Sequence, residues 1–364
     1  MTMAVPKFIK RWIISSTDES LEGLTLQENV SVPEPGPGQV LVKVHAVTLN
    51  ARDVQIATDS YPNPAKPKAS IHQPPNDKDV VPTSDASLSV VAIGPSLPDS
   101  EPIKWKVGDR VLPIFAPGFH AGKINYKAVS APTCGAGRDG FLCEYQAFGA
   151  EDLVATPSYL TDEEACTLPV APLTAYNCLY GYEPMLKAGD TVLLLGTGGC
   201  SIAGLQIALA AGCTTICTSS SDAKLARCKE LGAHHLVNYR TTPDWEKEVQ
   251  KITGGRGVDH VIEIGGKDTL PKSIASCKMG GVVSIIGYLS DYNKKDDAQS
   301  DYDVAKAILY AGCTVRGVFV GNKEQFEDMN RLFDLKKIKP VIDKVYTFGQ
   351  AKEAFQYVAK GSHF

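Results

Sequence analysis

The chain has 364 residues, of which 43% are hydrophobic and 21% charged, with a formal net charge of −4. That length carries two domains with sizeable cores, so the fold needs neither disulfides nor a structural metal. The two signs of charge are spread along the chain, leaving no basic stripe for a nucleic-acid backbone, and no stretch approaches the ~20 apolar residues of a membrane span; nucleic acid and membrane are therefore not expected partners.

In chain order, the opening MTMAVPKFIKRWIISSTDES lacks the apolar run of a signal peptide, and a cytoplasmic location is the expectation. Short β-type segments follow, among them QVLVKVHAVTL, SLSVVAIG and DRVLPIF, broken by Pro and Gly and with little helical periodicity. They predict a β-rich lobe. Polar or Pro/Gly-rich stretches at 60–79, 116–140 and 290–303 read as loops. The ten cysteines are scattered, form no Cys-x-x-Cys pair and read as buried free thiols. Cys134 and Cys143, without a neighbouring His or further Cys, make a poor zinc site.

From about residue 190 the pattern changes. TVLLLG, TTICTS, HHLVNY, VDHVIEI, GVVSIIG and TVRGVFVG alternate with amphipathic segments such as SIAGLQIALAAG and SDAKLARCKELGA. Six apolar strands alternating with helices predict an α/β fold with a doubly wound parallel sheet. The last stretch predicts a helix over EQFEDMNRLFDLKKIKP, a strand over PVIDKVYTF and a helix over QAKEAFQYVAKG, returning to the first lobe. The expected division is a β-rich lobe over 1–160, joined by 322–364, and a doubly wound α/β lobe over 161–321.

Directly after the first strand of the alternating region stand Gly196, Thr197, Gly198, Gly199, Cys200 and Ser201. Glycine allows the tight turn and close backbone approach by which the N–H groups of a helix start face a pyrophosphate. The end of the next strand is where an NAD-binding unit places an acidic residue for the ribose hydroxyls. Here it reads Thr218-Ser219-Ser220-Ser221, followed by Asp222 in a helix first turn, with Lys224 in the same turn. A 2′-phosphate held by Ser219, Ser220, Lys224 and Tyr239 would explain that lysine, and the pattern favours NADP(H) as cofactor. The alternative leaves Ser221 as a plain N-cap and Lys224 as a solvated side chain. Because ligands sit at the carboxyl ends of such strands, Gly265, Gly266, Gly287, Phe319, Val320 and Gly321 are expected to line the cofactor.

With PGPGQVLVKVHAVTLNARD, KVGDRV, LPVAPLTAYNCL, KAGDTVLLLGTGG, KLARCKELGAHHLVNYR, GGRGVDHVIEIGG and KPVIDKVYTF in place, nearly the whole chain resembles the medium-chain dehydrogenase/reductase superfamily, in its zinc-independent quinone reductase-like and alcohol dehydrogenase-like branch. The resemblance implies a GroES-like β-rich domain beside a Rossmann domain, nicotinamide held between lobes, and a homodimer joined through the sixth strands. Metal-dependent members keep zinc ligands where this chain carries Asn50, Ser84 and Val170, none of which replaces a thiolate or imidazole, so no metal is expected. Leu88 stands where relatives have glycine, and the chain stops at Gly361-Ser362-His363-Phe364 where they continue with a further strand; the expectation is altered geometry at Leu88 and a lost edge strand.

Without zinc, activated acceptors are favoured, because hydride addition to an enone or quinone gives a delocalised anion that hydrogen-bond donors stabilise. By resemblance, Asn50 and Thr174 are candidate catalytic donors to a small-molecule substrate; the alternatives are that Asn50 caps a turn and Thr174 bonds back into its helix. Tyr61 and Tyr126, in loops, are candidate proton donors. The Tyr302-x-x-x-Lys306 spacing of short-chain dehydrogenases lies just before the last strand rather than in the helix expected of that family, whose glycine loop would also come far earlier in the chain, and it reads as coincidence. A zinc-free alcohol or aldehyde oxidoreductase, and a cofactor-binding homologue without catalysis, are the competing readings.

Overall fold

The computed structural model describes residues 5–17, 20–61, 79–98, 101–126, 128, 132–289, 302–361 and 363–364. Most of the expected loops at 60–79 and 290–303 lie outside the described residues. The chain divides into two compact units, one of residues 1–173 with 321–363, the other of residues 174–320 with Phe364. The segment 161–173, expected in the doubly wound lobe, thus packs with the first unit; its polar contacts explain why, since Ser87 Oγ donates to Asp162 Oδ1 at 2.8 Å and the Arg110 guanidinium to the same oxygen at 2.7 Å.

In the first unit, β1 (Phe8–Ile14) and β2 (Leu24–Ser31) pair antiparallel. β3 (Gln39–Thr48), helix α1 (Ala51–Ala57), β4 (Asp85–Ile93), β5 (Arg110–Pro113), β6 (Tyr145–Gly149) and β7 (Leu153–Ala155) follow. These strands build a five-stranded antiparallel sheet in the order β6-β3-β4-β5-β7. Its core takes Val40, Val42, Val90, Val111, Phe141 and Phe148, β-branched and aromatic residues that suit a pleated, buried surface, together with Leu88 and Leu153. Leu88 is a fully buried side chain of β4, paired with Val44 and Val111, so the position read as a lost glycine is a core position. Helix α2 (Asp162–Ala165) and the longer α3 (Ala171–Tyr180) lead out of this unit.

The second unit runs β8 (Thr191–Leu194), α4 (Gly199–Ala210), β9 (Thr214–Ser219), α5 (Asp222–Glu230), β10 (His235–Asn238), α6 (Trp245–Ile252), β11 (Val258–Glu263), α7 (Leu270–Ser276), β12 (Cys277–Ile285), α8 (Val304–Ala311) and β13 (Thr314–Gly317). All six strands are parallel in the order β10-β9-β8-β11-β12-β13. The order reverses between β8 and β11, which puts the ligand crevice of a doubly wound sheet beyond the carboxyl ends of those two strands.

Back in the first unit, α9 (Lys323–Lys336) opens with a capping box in which Asn322 Oδ1 accepts from Gln325 N at 2.8 Å and Gln325 Oε1 from Asn322 N at 3.0 Å. The stretch 340–347 forms no strand. A strand persists only where a neighbour takes its N–H and C=O groups, and among the described residues no ladder adjoins it. Helix α10 (Ala351–Ala359) buries Phe355 in a core with Val54 and Ile56 of α1. No helix of the described residues is long and apolar enough to cross a membrane.

Candidate functional site

The glycine-rich turn leaves β8 and opens α4, with Gly198 as N-cap. Gly196 adopts φ +70°, a left-handed conformation that glycine takes without strain, and its N–H donates to Thr218 Oγ1 at 3.3 Å. Ser201 is buried and donates its hydroxyl to the Leu195 carbonyl at 2.6 Å, tying the first turn of α4 to the end of β8. The close approach of helix to sheet belongs to Gly204, where a Cβ would stand 2.7 Å from Ile262 Cδ1 and 2.9 Å from Leu194 Cδ2. Nothing lies within 4 Å of where a Cβ would stand at Gly198, so the turn is open on that side at the start of α4. Thr197 is buried within it, while Gly199 is exposed and Cys200 half-buried; the other nine cysteines are buried free thiols.

At the end of β9, Ser219 is buried and its Oγ accepts from Ser221 N at 3.3 Å, while Ser220 is half-buried. Ser221 caps α5, accepting from Lys224 N at 3.4 Å. The Asp222 carboxylate accepts from Asn238 Nδ2 at 2.7 Å. Lys224 is half-buried in the same turn, and Tyr239, 40% exposed, extends β10 with its N–H on the Ser219 carbonyl at 3.1 Å.

Beyond β11, the N–H groups of Gly265 and Gly266 turn inward onto Glu263, at 2.6 Å and 3.0 Å. Gly287, after β12, passes so close to this loop that a Cβ would lie 2.9 Å from the Ile264 carbonyl oxygen. After β13, Phe319 is half-buried and Val320 is held at φ +34°, its carbonyl accepting from Asn177 Nδ2 at 2.6 Å. Gly321 packs on Leu173 in the first unit, 2.8 Å from its Cδ1 were a Cβ present. Thr174 is buried in α3.

In the first unit, Asn50 caps α1 and its N–H donates to Asp53 Oδ2 at 2.7 Å. Its side-chain Nδ2 donates to Asp85 Oδ2 at 2.9 Å. Both aspartates are fully buried, and neither Oδ1 has a hydrogen-bond partner. The nearest cation is Arg52, 3.7 Å from Asp53 Oδ1, itself engaged with the Cys134 carbonyl and Thr133 Oγ1, both at 3.1 Å. Burial pushes Asp53 up to about 6, against the pull of Arg52 and of the Asn50 N–H. Asp85 is driven well above the usual carboxylate range by burial, against the pull of the Asn50 hydrogen bond and reinforced by the Asp53 charge. Tyr61 joins this cluster through its ring, 5.5 Å from the Arg52 guanidinium, whereas Tyr126 is 81% exposed.

The residues at the zinc-ligand positions of metal-dependent relatives do not fit a zinc ion. The Asn50 amide faces a carboxyl group, Ser84 offers a buried hydroxyl, and Val170 offers no donor atom. Burial pushes the nearby thiols of Cys134 and Cys166 up to about 12, so they stay protonated. Among the described residues no group of three or more His, Cys, Asp or Glu is placed to hold a metal ion.

Sequence reasoning did not find Asp53, Thr218, Asp85, Arg52, Glu263 or Asn177. Two carried a signal: the Asn50-x-x-Asp53 spacing of a capping box marks the start of α1, and Glu263 is an acidic residue at the end of a buried strand.

A doubly wound parallel sheet with a glycine turn at its switch point, carried in one chain with a GroES-like antiparallel unit, defines a two-domain dinucleotide-binding oxidoreductase. Residues 36–158 match the alcohol dehydrogenase GroES-like domain, and residues 199–334 match the family described as zinc-binding dehydrogenase. A zinc-type alcohol dehydrogenase-like protein of Schizosaccharomyces pombe is 40% identical over 338 residues, covering 92% of each chain. Human quinone oxidoreductase is 26% identical over 94% of this chain and 91% of its own. The crystal structure of an alcohol dehydrogenase-type protein from Sinorhizobium meliloti 1021 superposes with a TM-score of 0.83 at 34% identity, over 98% of this chain and 97% of that one. The chain belongs to the medium-chain dehydrogenase/reductase superfamily.

Proposed function

We propose that the protein is an NADPH-dependent oxidoreductase that works without zinc and reduces an activated acceptor, a C=C bond conjugated to a carbonyl or a quinone. The observation that carries the cofactor reading is the end of β9. Its acidic neighbour Asp222 is taken up by Asn238, while two serine hydroxyls, Lys224 and Tyr239 surround a strand end that suits a 2′-phosphate better than a bare ribose. Gly196, Thr197, Gly198, Gly199, Cys200 and Ser201 would hold the pyrophosphate, with Gly265, Gly266, Gly287, Phe319, Val320 and Gly321 lining the remainder.

When bound, the nicotinamide supplies the hydride. The chain's part is to stabilise negative charge on the acceptor oxygen. Asp85 fixes the Asn50 amide through one N–H, leaving the other to donate to that oxygen; Thr174 is, by the family resemblance, a separate candidate donor. Tyr61, stacked on Arg52, is the candidate for returning a proton. A carboxamide is a weaker electrophile than a metal ion, which is why an acceptor with a delocalised product anion fits this donor set. The quinone oxidoreductase relative supports the same substrate class.

We further infer a homodimer through β13, an edge strand of its sheet, flanked by Met279, Leu309 and Tyr310 at 78%, 76% and 73% exposure. Light scattering after gel filtration is expected to give twice the chain mass, and Leu309→Glu to shift it to one.

Fluorescence titration with NADPH and NADH, followed by turnover on enones, quinones, ketones, aldehydes and alcohols, tests the main reading. Tighter NADPH binding with turnover on enones or quinones, unchanged by a chelator, is expected. Binding of neither cofactor would overturn it; oxidation of alcohols alone would move the reaction to the alcohol dehydrogenase class, and binding without turnover to a non-catalytic homologue.

A further inference from the structure

Glu263 is the last residue of β11 and is fully buried. Its Oε1 accepts from Gly265 N at 2.6 Å, Gly266 N at 3.0 Å and Thr269 Oγ1 at 2.5 Å, and its Oε2 accepts from the Ser273 hydroxyl. Four donors therefore converge on one carboxylate that has no cationic partner among the described residues. Successive backbone N–H groups of this kind form an anion-binding nest. Here the chain's own carboxylate fills the nest.

That filling has a positional consequence. β11 is one of the two strands between which the sheet order reverses, so the turn after Glu263 stands at the switch point. Ser273 lies in the middle of α7, so the carboxylate ties the turn 264–269 to that helix. Gly266 adopts φ +89°, and a Cβ on it would stand 2.8 Å from Tyr288 Cα. Leu289 N donates to the Ile264 carbonyl at 3.1 Å, locking the loop after β12 onto the same turn. On the other side, a Cβ at Gly196 would lie 3.0 Å from Ile264 Cδ1, so the turn also backs onto the glycine loop. Because the Gly265 and Gly266 amides are committed inward, they are not available to a phosphate; what the turn gives a ligand is a fixed backbone surface.

We infer that Glu263 is a positioning residue for the dinucleotide, holding the 264–269 turn in the shape against which the cofactor seats. The inference rests on the reading of this unit as a nicotinamide-dinucleotide site. Glu263→Gln keeps Oε1 for three of the four donors, and its amide can donate to Ser273 Oγ, so this variant preserves the turn. Glu263→Ala leaves all four donors without the carboxylate.

The experiment measures NADPH dissociation constants by fluorescence on the full chain, with amide hydrogen exchange over 264–269 and the melting temperature read in parallel. Glu263→Ala is expected to weaken NADPH at least about tenfold and to speed exchange at Gly265 and Gly266, while Glu263→Gln stays within about threefold of wild type. Should Glu263→Ala not fold, Thr269→Val, which removes one donor, is expected to weaken NADPH about threefold to fivefold with a small change in melting temperature. A purely structural role would lower the melting temperature and leave the dissociation constant of the folded protein unchanged; that result overturns the inference while the cofactor reading stands. If wild type binds neither NADPH nor NADH, the cofactor reading fails and the inference falls with it.

Discussion

Two buried carboxyl sites, one in each unit, carry opposite designs. Glu263 meets four hydrogen-bond donors on its two oxygens, whereas Asp85 meets one and Asp53 takes one N–H and a distant guanidinium. Burial alone therefore does not set what an acidic side chain does. A buried carboxyl group wrapped in donors shapes the backbone around it; one short of donors has its pKa pushed up and orients a neighbour instead.

The contrast breaks most visibly at Glu263. Glu263→Ala is expected to cost about 3 kcal/mol or more in urea unfolding, because buried N–H and O–H donors lose their acceptor together. An undiminished stability would mean that the nest refills or that the turn is dispensable.

Asp53 sharpens the other side through pH. Its folded-state value near 6 lies above its ordinary 3.8, so the folded chain binds the proton more tightly than the unfolded chain. The resulting stabilisation is complete below about pH 4 and is lost as pH rises through about 6. The wild-type minus Asp53→Asn difference in unfolding free energy should therefore fall by about 3 kcal/mol across that window. A flat difference would mean that Asp53 is ionised throughout.

At Asp85 the expected effect is smaller. Asparagine has the shape of the neutral acid and keeps an oxygen for Asn50 Nδ2, so Asp85→Asn should change stability at pH 7 by less than about 1 kcal/mol. A retained protonated-carboxyl stretch in the infrared spectrum of wild type at pH 7, absent from the variant, would assign the proton. Of comparable size is the effect of a charge at the end of β9: Lys224→Ala should weaken NADPH about threefold and leave NADH unchanged, by fluorescence titration.

The glycine loop was legible because its signal is local: an apolar strand, a glycine turn and a helix with apolar spacing stand within one short stretch. The six-strand alternation was legible for the same reason. The Asn50–Asp85 pair was not, since 35 positions separate the two and only the β3–β4 ladder, with Thr48 opposite Asp85, brings Asn50 beside it. Glu263 could be singled out as an acidic residue in a buried strand, but its role depends on where a later turn and helix place their donors.

Periodicity and glycine placement thus determined the doubly wound sheet, its strand count and the phosphate-type turn, because each follows from the conformational preferences of neighbouring residues. Tertiary structure alone decided that 161–173 pack with the first unit, that 340–347 find no strand partner, that Gly204 makes the close helix–sheet contact, and that one buried carboxylate is saturated with donors while another is starved of them. Those outcomes depend on which distant groups arrive at a given point in space, and local sequence holds no record of that arrival.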